Sequence, residues 1–96
     1  MSAVHADGLV AAYHDRSRTI LLPHGWSGAT AAELSILVHE LVHHLQNVAE
    51  MKYACAAARE ELAYTAQEKW LSLFGQSLLV AFEIDRLTLK VRTACM

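Results

Sequence analysis

The sequence predicts a small α+β domain with an N-terminal β-hairpin, two main helices and a short C-terminal strand. Three observations carry this. Two short apolar runs, LVAAYH at 9–14 and TILL at 19–22, are divided by the polar DRSR, the pattern of two strands joined by a turn. Thr30 stands three residues before Glu33 at the head of a long run of helix formers, a capping-box arrangement. A second such run closes at Gly75, the residue type best suited to a left-handed C-cap.

Taken in order, residues 1–8 carry no pattern of their own and are expected to be poorly ordered. The second hairpin strand ends at Pro23, HGWSGA follows as a loop, and the first helix runs from the Thr30 cap to about Met51. The second helix begins just after Cys55 and continues through AAAREELAYTAQEKWLSLF. LLVAFEID fits helix or strand equally, while the alternation of Leu87, Leu89 and Val91 suggests a final strand leading to Cys95. No linker or repeat divides residues 1–96, which read as one domain.

Composition narrows the function. Hydrophobic residues make up 54% of the chain, above the usual level of about 45–50%, which points to a metal, a disulfide or a partner surface, the first two foremost. Eight Lys plus Arg against ten Asp plus Glu, a net charge of -2 with no run of like charges, give nucleic acid no electrostatic footprint. The apolar stretch from Leu71 to Phe82 falls far short of the roughly 20 residues of a membrane span, and the N-terminus has neither basic leader nor long apolar core, so no intact signal peptide is read and a soluble chain is expected. Cys55 and Cys95 lie forty residues apart. A bridge between them would fit an exported form and contribute roughly 3–4 kcal/mol; two ordinary buried thiols are the alternative.

Chemistry concentrates in ILVHELVHHLQ, residues 36–46, where His39, Glu40 and His43 form an HExxH motif. Histidines four apart share one helix face about one turn from each other, so both imidazoles can reach a single ion. Glu40, one residue round, stands beside such an ion, placed to accept a proton from water. The helix sets His39, Glu40 and His43 on one stripe with Ile36 and Asn47, and Leu37, Leu41, Leu45 and Val48 on another expected to face the core. His44 is turned about 100° away and suits a surface or supporting role.

A catalytic zinc needs a third protein ligand and an open position. Of Glu60, Glu61 and Glu68, helical phase puts Glu60 with Ala63, Tyr64, Gln67 and Leu71, and the other two with Thr65 and Ser72. Glu60 is therefore the expected inward carboxylate.

HExxH on one helix with Arg59-Glu60-Glu61-Leu62-Ala63-Tyr64 on the next resembles zinc metallopeptidases of the gluzincin type, in which a glutamate from a following helix completes a two-His, one-Glu site. Here the stretches TILLPHGWSG, AELSILVHELVHHLQN, KYAC, AREELAY, AQEKWL and FEID are also similar to an uncharacterised bacterial family of small HExxH domains of unknown function. The resemblance implies a minimal zincin-like site with one zinc ion on His39, His43 and Glu60. It also implies Glu40 as general base and hydrolysis of a peptide or protein substrate. Tyr64 follows Ala63 where such families often carry Asp or Asn.

The 19–22 strand, if it lies at a sheet edge, could pair with an extended peptide. Tyr64, Tyr13 and His24 are candidates to stabilise an oxyanion, with no local motif choosing among them. Two helices and a few strands supply little cleft wall, which leaves a homodimer or another partner as a route to substrate selection. The alternative reading is a non-catalytic module in which zinc stabilises the fold.

Overall fold

The computed structural model describes residues 2–6 and 11–95. The two apolar runs form the expected hairpin: β2, Ala12–His14, pairs antiparallel with β3, Thr19–Pro23, with Tyr13 opposite Ile20. Along β3, Ile20 and Leu22 are buried and alternate with half-buried Thr19, Leu21 and Pro23, the period of a strand with one face on the core. Ser2–Ala6, where no element was read, forms a further strand, β1, parallel to β3 from Ser2 opposite Thr19 to Ala6 opposite Pro23.

The sheet order is β1-β3-β2, so β3 is central and both its edges are taken. This corrects the expectation that the 19–22 strand offers a peptide an open edge. Among the described residues, β2 is the edge strand on the side of α1.

Helix α1 spans Ala31–Val48. Thr30 Oγ1 accepts from the Glu33 N–H at 3.0 Å, and the Glu33 carboxylate gathers the N–H groups of Ser27 at 3.1 Å and Ala29 at 3.2 Å, extending the capping box into the preceding loop. The helix stops three residues before Met51. There the Met51 N–H returns to the Gln46 carbonyl and Glu50 takes the left-handed conformation (φ 54°) usually left to glycine. Helix α2, Ala56–Ser72, ends as expected: Gly75 is left-handed (φ 70°) and the Gln76 N–H closes on the Leu71 carbonyl.

The C-terminal strand is not formed. Leu78–Ala81 is a short helix, α3, and Arg86–Thr93 is an eight-residue helix, α4, whose N-cap Asp85 accepts from the Thr88 N–H at 2.7 Å. The alternation misled because Leu87 and Val91 are also four apart. They share an exposed helix face, while Leu89, on the opposite side, is half-buried. Cys55, at the N-cap of α2, is disulfide-bonded to Cys95 just past α4.

The helices α1 and α2 run antiparallel, as their cross-links show in sequence. Trp70 Nε1 donates to the Ala31 carbonyl, Gln67 bonds Ser35, Glu60 meets His39 and His43, and Gln46 donates to the Arg59 carbonyl. The face of α1 turned to this seam is polar. Ser35, His39, Glu40, His43 and Gln46 are its buried residues, whereas Leu45 is 65% and Val48 49% exposed. The apolar stripe therefore is not the core stripe; Leu37 and Leu41 are only half-buried, and the buried apolar residues among those described are Ile20, Leu22, Ala63, Leu71 and Leu78.

The hairpin is tied to this seam by charge. Arg59 grips the Asp15 carboxylate with both terminal nitrogens at 2.8 and 2.7 Å, and Asn47 Nδ2 donates to the Asp15 carbonyl at 2.8 Å. The Arg59 hydrogen bond holds the Asp15 carboxyl below its ordinary 3.8, so its contribution is present above that value and is lost as pH falls through the depressed folded-state pKa. Because the Asp15 side chain is 50% exposed, solvent screens the pair. Asp15→Asn is expected to cost no more than about 1 kcal/mol at neutral pH. The difference from the unmodified chain should narrow below pH 3.8 in denaturant titrations.

Candidate metal centre

HExxH sits in the middle of α1, where the helix repeat sets His39 and His43 on adjacent turns with ring centroids 5.0 Å apart. Glu60, in the first turns of α2, faces them both. Its Oε2 lies 2.8 Å from His39 Nε2 and its Oε1 2.9 Å from His43 Nε2. Glu61 is exposed, and Glu68 instead accepts from the Leu78 N–H at 2.7 Å, capping α3. Helical phase thus placed Glu60 inward and Glu61 outward as the structure has them, whereas Glu68, expected in solvent beside Glu61, is half-buried because α3 folds back onto it. Glu40 is buried beside the group, Oε1 3.8 Å from His39 Nε2, and its Oε2 has no hydrogen-bond partner among the described residues.

The other ring nitrogens decide what the inner ones can do. Gln46 Nε2 donates to the Arg59 carbonyl at 3.0 Å and to Tyr53 Oη at 3.1 Å, which leaves its Oε1 to accept from His43 Nδ1 at 2.8 Å. Ser35 Oγ gives its proton to the Ala32 carbonyl at 2.6 Å and accepts from Gln67 Nε2 at 3.1 Å. Gln67 Oε1 in turn accepts from His39 Nδ1 at 2.9 Å. Both Nδ1 atoms are therefore protonated, and in neutral rings both Nε2 atoms present bare lone pairs to the oxygens of Glu60.

Lone pair against lone pair at under 3 Å is repulsive, so the site calls for a cation, either shared protons or a metal. With protons shared, burial pushes Glu60 up, but hydrogen bonds from the His39 and His43 Nε2–H groups outweigh it and bring its carboxyl down to about 2. Burial pulls His43 down, and bonding to Glu60 and Gln46 more than reverses this. Burial dominates at Glu40, raising its carboxyl despite the opposing pull of His39 and His43.

The donor set fits zinc: two imidazoles and a carboxylate are common ligands, and their 2.8 and 2.9 Å spacings approach the roughly 3.3 Å between neighbours in a tetrahedral shell. His39, Glu40 and His43 also offer ligand atoms all within 4.8 Å of one another. Glu60 lies against both rings, whereas Glu40 stands a further ångström from His39.

The supporting residues Gln46, Gln67 and Ser35 were not read as such from the sequence. Their signal was present, because Gln46 is one turn past His43 and Gln67 two turns past Glu60, polar residues on faces that turn inward. Removing the acceptor on His39 by Gln67→Leu frees the ring to change tautomer, and zinc affinity is expected to fall about 10- to 100-fold by competition titration.

Two clefts open on the group. One, of about 260 Å³, is bordered by Tyr13, Glu40, His43, Arg59 and Glu60; the other, of about 240 Å³, by His39, Glu40 and Tyr64 together with α3 and α4 residues. A roomier hollow, about 740 Å³ between α2, α3 and α4, does not reach the histidines. Of the residues considered for an oxyanion, Tyr64 packs edge-on to the His39 ring at 4.6 Å, and Tyr13 lines the first cleft with its hydroxyl bonded to His44 Nδ1 at 2.7 Å. His24 is exposed in the turn after β3.

No curated protein and no solved structure matches the chain. A family model does match, over residues 1–96, and by it the chain belongs to the family described as Domain of unknown function (DUF6647).

Proposed function

We propose that the chain is a zinc-dependent peptidase of gluzincin-like design, with His39, His43 and Glu60 holding one metal ion and Glu40 acting as general base. The observation that carries this reading is the convergence of two Nδ1-protonated histidines on one carboxylate, with an unpartnered buried glutamate oxygen beside them. Zinc bound there would polarise a scissile carbonyl and lower the pKa of a water molecule toward neutrality. Gln46 and Gln67 hold the rings in the liganding tautomer, Glu40 takes the proton from the attacking water and passes it to the leaving amine, and the outer edge of β2 offers backbone groups to an extended peptide. The Cys55–Cys95 bridge fits an exported protein, and no helix among the described residues is long and apolar enough to cross a membrane.

Elemental analysis of the purified chain is expected to give about one zinc per molecule, with cleavage of an unstructured protein that stops on chelation and returns with zinc. Glu60→Ala should lose the metal, while Glu61→Ala and Glu68→Ala keep it. Zinc retained by Glu60→Ala would sink the assignment.

A second reading, zinc as a structural staple without turnover, draws on one observation. The same side chains that would bind the metal also form the α1–α2 seam, so the ion would lock the helix pair. Full zinc occupancy, a thermal midpoint that collapses with chelator, and no cleavage of any substrate would favour it.

A further inference from the structure

The 240 Å³ cleft on the Tyr64 side of Glu40 has a chemistry that the proposed hydrolysis leaves unassigned. His39 and Glu40 border it, Ile36, Leu78, Phe82 and Ile84 make much of its wall apolar, and Arg92 of α4 reaches it from the exposed side. Arg92 Nη1 donates to Tyr64 Oη at 3.3 Å, and no carboxylate among the described residues pairs with this guanidinium.

The position is built rather than incidental. Arg92 is three residues from Cys95, whose disulfide fixes the end of α4 to the start of α2, the helix that also carries Glu60 and Tyr64. A guanidinium has five donors in a planar fork that matches a carboxylate. With Tyr64 Oη accepting from Arg92, the tyrosine proton remains free for a second oxygen. At about 240 Å³ the cleft is smaller than the roughly 300–1,000 Å³ of ordinary ligand pockets and matches a single residue.

Building on the reading of Glu40, His39, His43 and Glu60 as a hydrolytic centre, we propose that this cleft takes the C-terminal residue of the substrate, its apolar side chain among Ile36, Phe82 and Ile84 and its free carboxylate on Arg92 and Tyr64. The bond cleaved is the amide immediately before that residue. Water oxygen joins the acyl carbon as the C–N bond breaks, one water proton passes through Glu40 to the departing nitrogen, and the products are a shortened peptide acid and a free apolar amino acid. The substrate class is thus peptides and unstructured chains with an apolar C-terminal residue.

The test uses the zinc-loaded Glu40→Gln chain, which should bind without turning over, and N-acetyl-leucyl-leucine as free acid and as C-terminal amide, measured by calorimetry. The acid is expected to bind at least about tenfold tighter than the amide, as loss of a hydrogen-bonded charge partner implies. Arg92→Gln should erase the difference and Arg92→Lys should keep part of it. Equal affinities, binding of neither compound, or a preference that survives Arg92→Gln would overturn the proposal. Cleavage of an unstructured protein by the unmodified chain reports separately on the hydrolytic reading. Turnover without an acid preference removes the carboxylate subsite alone, and an Arg92-dependent acid preference without turnover removes the peptidase alone.

Discussion

Glu40→Gln is expected to reduce peptide-bond turnover by about 100- to 10,000-fold, the usual worth of a positioned general base, while zinc content stays that of the unmodified chain. The side chain is 7% exposed, its Oε1 is 3.8 Å from His39 Nε2, and it borders both clefts, so a water entering from either side meets it. Burial raises its carboxyl from the ordinary 4.5, in the direction a base working near neutral pH requires. Glutamine keeps the shape but cannot take a proton. It also removes an ionisable oxygen that is buried without a donor, so the variant should melt no lower than the unmodified chain. If turnover fell together with zinc content, Glu40 would be a ligand, in line with the proximity of His39, Glu40 and His43 donor atoms. If turnover were unchanged, Glu40 would have no part in proton transfer.

Helix-level periodicity made much of this site legible. The four-residue spacing of His39 and His43, the one-residue offset of Glu40 and the inward phase of Glu60 follow from the 3.6-residue repeat alone, and the Thr30 and Gly75 signals located helix ends. What failed were inferences that depend on which neighbour an element meets. Leu37, Leu41, Leu45 and Val48 are apolar at helical spacing, yet α1 turns its polar stripe to α2 because the buried histidines find partners there, Gln67 for His39 and Glu60 for both rings, and so avoid the cost of unpaired polar atoms, while Gln46 of α1 itself holds His43.

Strand order was equally illegible, since TILL reads the same at an edge or at the centre. Only the pairing of Ser2–Ala6 decides it. In residues 86–93, three apolar side chains two apart could not outweigh the Asp85 cap, which a reading from hydrophobicity alone passed over.

Replacing Cys55 and Cys95 together with serine is expected to cost roughly 3–4 kcal/mol in chemical denaturation, close to the chain-entropy value for a loop of this length. The bridge joins residues 40 apart in sequence, so its loss frees a large share of the unfolded chain. The folded state should suffer unevenly. Helix α4 has no fully buried residue, and Leu87 is 71% and Val91 48% exposed. Without the bridge it keeps the half-buried Leu89 and the Arg92–Tyr64 hydrogen bond, too little apolar burial to hold eight residues in place. Amide exchange in residues 86–93 should accelerate before that of α1 and α2. The seam from Trp70–Ala31 to Gln46–Arg59 does not pass through either cysteine, so zinc stoichiometry should be kept while the Arg92-dependent preference for a free carboxylate disappears. Loss of zinc in the double variant would instead mean that the bridge holds Glu60 in register with the histidines, making the covalent staple part of the metal site.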